Sequence, residues 1–169
     1  NCLLFDFDTY KDERGTFNKL YHEGVFAEKG VKIDIKEQYY SISAKNVLRG
    51  MHFQLPPYSH DKLVSCLTGS VLDVVLDLRK DSPTYRQFDS FNLNQDNALA
   101  LYIPSGMAHG FLSLEDNTIM LYNTSAGYEP KSDKGIHWNS FAFDWPCDQP
   151  TISSRDEQQP LFSNFNSPF

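Results

Sequence analysis

The stretch Val71-Leu72-Asp73-Val74-Val75-Leu76-Asp77-Leu78 follows the turn-like Thr68-Gly69-Ser70. Read with a period of two, it puts Leu72, Val74, Leu76 and Leu78 on one face of an extended chain. Val71, Asp73, Val75 and Asp77 share the other face. Similar β-rich runs occupy residues 46–54, 63–67, 88–93, 98–104 and 118–123. Pro56-Pro57, Asp81-Ser82-Pro83, Pro104-Ser105-Gly106 and Asp116-Asn117 separate them, each a turn signal. Short strands at this spacing predict an all-β sandwich or barrel, best suited to a jelly roll with few short helices. The one helix expected lies within Lys19 to Lys29, where Gly24 weakens it. From about residue 145 onward the chain is rich in Pro, Ser, Gln, Asn and Asp, which predicts a surface-wrapping C-terminal tail. No repeat or linker divides residues 1–169, so they read as a single domain.

Composition narrows the possible ligands. The formal net charge is -7 and no long Lys/Arg run exists, which argues against a nucleic-acid surface. An anionic small molecule would need locally placed cations. No apolar stretch approaches the roughly 20 residues that span a bilayer. The start, Asn1-Cys2-Leu3-Leu4-Phe5-Asp6, has no basic segment leading into an apolar one, so a cytoplasmic protein without membrane contact is expected. Cys2, Cys66 and Cys147 are odd in number, far apart and without CxxC spacing; they read as reduced thiols, none a nucleophile.

Candidate chemistry gathers in Arg49-Gly50-Met51-His52-Phe53-Gln54, Lys62, Ala108-His109-Gly110-Phe111, Tyr122 and Ser154-Arg155-Asp156. Taken singly these are weak signals, because a strand His is usually structural, a strand Tyr usually packs, and a tail Asp is usually solvated. In order along the chain, together with Asp12-Glu13-Arg14-Gly15-x-Phe17, Asp77-Leu78-Arg79-x-x-Ser82-Pro83-Thr84, Gly135-Ile136-x-Trp138 and Asp144-Trp145-Pro146, they resemble the nucleotide-sugar 3,5-epimerase family. The resemblance runs over nearly the whole chain.

It implies a cupin-type jelly roll, a double-stranded β-helix, acting as a homodimer without metal or organic cofactor on a nucleoside-diphosphate 4-keto sugar. The ketone acidifies the neighbouring C–H bonds at C3 and C5, so inversion needs a base on one face, a stabilised enolate, and an acid on the other. By the resemblance, His52 is the base, suited to neutral pH, and Asp156 pairs with it and favours the imidazolium. Lys62 is the cation beside the ketone, and Tyr122 is the acid. Arg14, Arg49 and Arg155 fall where the diphosphate is held, a task for guanidinium forks. Phe17, Gln54 and His109 fall among substrate contacts, with a core histidine in a turn as the alternative for His109. Tyr128 falls where an aromatic stacks on the base. Arg79 reads as a structural or surface cation.

Two positions depart from the family pattern. Tyr39 stands where the thymidine enzymes usually offer an Asn to the nucleotide, and Lys19 replaces a Glu. Both changes touch nucleotide recognition and leave the candidate catalytic groups intact. Thymidine is the first expectation for the carrier, with guanosine or cytidine, and inversion at one carbon only, as alternatives. Arg49 and His52 are three apart, so strict alternation would face them oppositely unless Gly50 allows a bulge.

Three competing readings make different demands. A metal-dependent cupin would need a His-x-His set, but Gln54 occupies the second His position. A 3,4-ketoisomerase shares the enolisation step but moves the carbonyl. A jelly-roll sugar-binding module needs neither base nor acid.

Overall fold

The computed structural model describes residues 2–169. Two five-stranded antiparallel sheets face each other. The first runs in the order β1 (Leu3–Asp6), β9 (Leu99–Ile103), β6 (Lys62–Thr68), β11 (Thr118–Thr124), β4 (Glu37–Ser43). The second runs β12 (Asp133–Gly135), β5 (Leu48–Gln54), β10 (Met107–Ser113), β7 (Ser70–Asp77), β8 (Phe88–Asn94). From β4 to β7 the chain changes sheet at every step, and it does so again from β8 to β11. That alternation is the jelly roll the strand spacing predicted. A separate hairpin, β2 (Thr9–Asp12) and β3 (Gly15–Asn18), stands apart from both sheets.

Apolar side chains fill three layers. Val64, Val71, Val75, Leu101, Phe111 and Met120 meet between the sheets. The opposite face of β7, carrying Val74 and Leu76, lies with Leu78 just past its end under the C-terminal segment, which contributes Trp145 and Phe162. Phe5, Leu63 and Ala100 on the outside of the first sheet are covered by Phe26, Val31 and Ile33. Both faces of β7 are therefore buried, and the two acids on its inner face need partners. Asp77 accepts hydrogen bonds from Arg79, Ser82 and Thr84. This makes Arg79 the structural cation expected, and Asp73 is paired within the site.

Helix is confined, among the described residues, to α1 (Glu23–Glu28), α2 (Ser154–Glu157) and a 3₁₀ turn at Phe162–Asn164. The helix expected over 19–29 shrinks to α1: His22 caps it without a side-chain hydrogen bond, and only Phe26 is buried along it. One apolar anchor does not hold a longer helix. Four strands that the sequence reading did not assign, β1, β2, β3 and β4, carry mostly exposed residues and so lack a strong alternating signal. A fifth, β10, is buried throughout and likewise shows no alternation, and a sixth, β12, is only three residues long.

Candidate active site

The strand β5 carries the first decision about the site. Paired against β10, His52 lies opposite His109 and Arg49 opposite Phe111, so three steps on β5 match two on β10. This is a β-bulge, and it turns Arg49 and His52 to the same side while Leu48 and Met51 share the other. Gly50 makes it possible: its φ is +149°, and a Cβ there would lie 2.5 Å from the Cα of Gly110. The three-residue spacing of Arg49 and His52 is thereby resolved.

Arg49 and His52 face a cleft of about 430 Å³ between the sheets. Strand β5 also sends Gln54 to this cleft, β10 sends His109, β6 sends Lys62 and β11 sends Tyr122. Tyr128 and the segment 153–156 close its sides. His52 and Tyr122 thus belong to opposite sheets. Arg14 and Phe17 do not reach the cleft of their own chain: they sit on the β2–β3 hairpin, Arg14 bonded to Asp12 and Phe17 62% exposed.

Asp156 reaches the cleft because the C-terminal segment is tied along β5. Leu48 N–H donates to the Thr151 carbonyl (3.0 Å) and Thr151 N–H to the Asn46 carbonyl (2.8 Å). Ser153 then caps α2, its Oγ accepting from Asp156 N–H at 3.1 Å. The Asp156 carboxylate is buried, with Oδ1 2.6 Å from His52 Nε2. Burial alone would raise its pKa, but the hydrogen bond and charge of His52 reverse this and hold it below the ordinary value. The carboxylate fixes the ring with Nε2–H toward Asp156, leaving Nδ1 as the nitrogen free to take a proton.

His109 has a parallel arrangement one strand away. It lies in the middle of β10, not in a turn, and its Nε2 is 2.8 Å from Asp73 Oδ2. Burial pushes the imidazole down and the Asp73 carboxyl up, each partly offset by the other's charge. Lys62 is also buried, which lowers its ammonium to about 8 against the pull of Asp133 and Asp73. Its Nζ donates to the His52 carbonyl at 3.1 Å. The Tyr122 phenol is pushed up, chiefly by burial. Arg155 pairs with Asp133 at 2.7 Å, and Arg49 donates to Ser43 and to the Ile42 carbonyl.

Gln54 lines the cleft, but its amide is engaged by the protein. It donates to the Tyr58 and Gly127 carbonyls and accepts from Glu129 N–H at 2.7 Å. Its visible work is to hold the 127–129 loop, where Tyr128 N–H also donates to Glu37 at 2.7 Å. Asp73, Asp133, His60 and Glu37, to which the motifs assign no role, are brought by the fold to the site or its wall. Asp73 carried a signal, an acid at the inward parity of an apolar strand; Asp133, His60 and Glu37 sit at strand ends or in loops where none was visible. Among the described residues, no three His, Cys, Asp or Glu side chains gather as a metal-ligand set.

A jelly roll holding paired acid–base groups in a cleft between its sheets has the architecture of a cupin-type isomerase. A family model described as dTDP-4-dehydrorhamnose 3,5-epimerase matches residues 1–164. The dTDP-4-dehydrorhamnose 3,5-epimerase of Shigella flexneri is 40% identical over 159 residues, 92% of this chain and 88% of the relative. The crystal structure of the Bacillus anthracis enzyme of the same name, with TDP and PPi bound, matches with a TM-score of 0.92 at 36% identity, over 95% of this chain and 94% of that one. That of dTDP-6-deoxy-D-glucose-3,5-epimerase from Legionella pneumophila, in complex with dTDP-4-keto-L-rhamnose, gives 0.92 at 33% identity over 98% and 89%. The chain belongs to the dTDP-4-dehydrorhamnose 3,5-epimerase family.

Proposed function

We propose that this protein inverts C3 and C5 of a dTDP-linked 4-keto-6-deoxy sugar, without a cofactor, through two enolate-forming steps. The observation that carries the reading is that His52 and Tyr122 approach one cleft from opposite sheets, with the buried Lys62 ammonium in the same cleft. In each step His52 Nδ1 takes the proton from the carbon beside the ketone. The C–H electron pair moves into the ring and the carbonyl oxygen becomes an enolate oxygen, which Lys62 stabilises more than the ground-state ketone. Tyr122 returns a proton to the same carbon from the other face. Asp156 holds the imidazolium until it loses its proton to solvent, and the phenolate recovers one from solvent. One C–H bond breaks and one forms, and nothing is oxidised.

Arg49 and Arg155 supply local positive charge for the diphosphate in a chain of net charge -7. His109 contacts the sugar, and Tyr128, 61% exposed at the rim, offers a ring face to the base. Arg14 and Phe17 act from a second copy of the chain: their hairpin exposes Tyr10 and Phe17, and the edge strand β4 exposes Tyr40 and Ile42, surfaces that a homodimer would cover. A nucleotide-sugar substrate suits an enzyme that works in the cytoplasm. The test is proton NMR of dTDP-4-keto-6-deoxyglucose with enzyme in deuterated water. Loss of the C3 and C5 proton signals, with the product carrying both centres inverted, supports the reading. A carbonyl moved to C3, or no exchange at all, refutes it.

A further inference from the structure

The acid candidate does not stand alone in its wall. Tyr39 on β4 lies directly opposite Tyr122 on β11 in the antiparallel register, so both side chains emerge on the cleft side. Their rings stack with centroids 4.8 Å apart and planes 14° from parallel. From the facing sheet, His109 meets the Tyr122 ring edge-on at 6.1 Å and 67°. Tyr122 is only 7% exposed while Tyr39 is 42% exposed, so Tyr39 stands between the acid and solvent on the open edge of the sheet.

We infer that Tyr39 is a positioning residue for proton return: its ring face holds the Tyr122 phenol in its reactive rotamer and keeps water off it. The inference rests on Tyr122 being the acid. A phenol stacked on one ring and met edge-on by another has fewer directions in which to present its O–H. A stacked aromatic pair also stabilises beyond the area that it buries. Without Tyr39 the phenol can swing and water can enter. The enolate made by His52 then takes a proton back from the imidazolium on the original face more often than it takes one from Tyr122. Once the imidazolium has exchanged its proton with solvent, the carbon receives a solvent-derived hydrogen, deuterium in deuterated water, and keeps its configuration.

The experiment compares Tyr39→Ala and Tyr39→Phe with the parent enzyme on dTDP-4-keto-6-deoxyglucose in deuterated water, reading kcat, KM and the ratio of deuterium wash-in to inversion. Tyr39→Ala is expected to lower kcat by about 10–10²-fold, the scale on which small misplacements act, and to raise the wash-in ratio. Tyr39→Phe keeps the ring face and is expected to restore both. A rise in KM alone, or a lower kcat with an unchanged ratio, overturns the inference. Tyr39→Leu, which retains apolar cover without a ring, takes the place of Tyr39→Ala if the latter does not melt cooperatively. Tyr122→Phe is run alongside. If it still inverts at the parental rate, the acid assignment fails; if it does not, while Tyr39→Ala matches the parent, only the stacking inference fails.

Discussion

His52 and Asp156 are 104 positions apart in the chain and their Nε2 and Oδ1 atoms are 2.6 Å apart in space. The pair exists because the C-terminal segment is tied along β5 and ends that run in a capped turn of helix. The base is therefore oriented by the C-terminal segment, which packs onto the sandwich.

His52→Ala should lower kcat by about 10²–10⁴-fold, the usual contribution of a positioned acid–base group. Asp156→Asn keeps the shape of the orienting group but removes its charge. It should lower kcat less than His52→Ala does while leaving KM close to the parental value, as steady-state kinetics on the dTDP sugar would show. A rise in KM with kcat unchanged would place Asp156 in ground-state binding instead.

The pairing also has a thermodynamic signature. Asp156 has a folded-state pKa below its ordinary value, so it contributes stability that is present above the unfolded value and lost as pH falls through the folded one. Melting temperature followed into the acid range, below the ordinary aspartate value of about 3.9, should fall more steeply for the parent than for Asp156→Asn. Parallel curves would mean that the carboxylate gains nothing from His52 in the folded state.

Lys62 gives the same sign for stability as Asp156, but in the alkaline range. Burial lowers its folded pKa to about 8, whereas the unfolded chain holds that proton up to about 10.4. Between those values the unfolded state binds more protons, so this group's contribution to stability rises with pH. Activity moves the other way, because the ammonium needed beside the enolate is lost as pH climbs through about 8. The expected outcome is an alkaline limb in kcat near that pH, absent from the residual activity of Lys62→Met. An alkaline limb that Lys62→Met retains would assign it to another group.

Gly50→Ala should be among the most damaging single changes to the fold. The residue holds φ +149°, and the added Cβ would meet the Gly110 backbone at 2.5 Å. Backbone strain of this kind costs about 1–3 kcal/mol before any clash is counted. Denaturant unfolding should show at least that loss. A variant of parental stability would mean that the bulge relaxes, and Arg49 and His52 would then no longer need to share a side.

The alternation of β7 was legible as written, with Val74 and Leu76 on one face and the two acids on the other. What periodicity does not reveal is that both faces are buried, because the cover on the outer one comes from residues such as Trp145 and Phe162, far along the chain. His52, Lys62 and Tyr122 could be picked out from ordered motifs. Their placement in one cleft depends on strand pairing across the sandwich, which no local window contains. Asp73 shows the same limit: its parity was legible, its partner His109 was not, since the two meet only through the β7–β10 ladder. Arg14 and Phe17 mark the converse case, a motif whose residues the single chain leaves outside its own cleft.

The most direct test is deuterium incorporation by Tyr122→Phe, with His52→Ala beside it, on dTDP-4-keto-6-deoxyglucose. If imidazole and phenol serve opposite faces of the sugar, Tyr122→Phe will still wash deuterium into a ring carbon while returning it uninverted, and His52→Ala will do neither. Full inversion by Tyr122→Phe, or undiminished exchange by His52→Ala, would contradict the account.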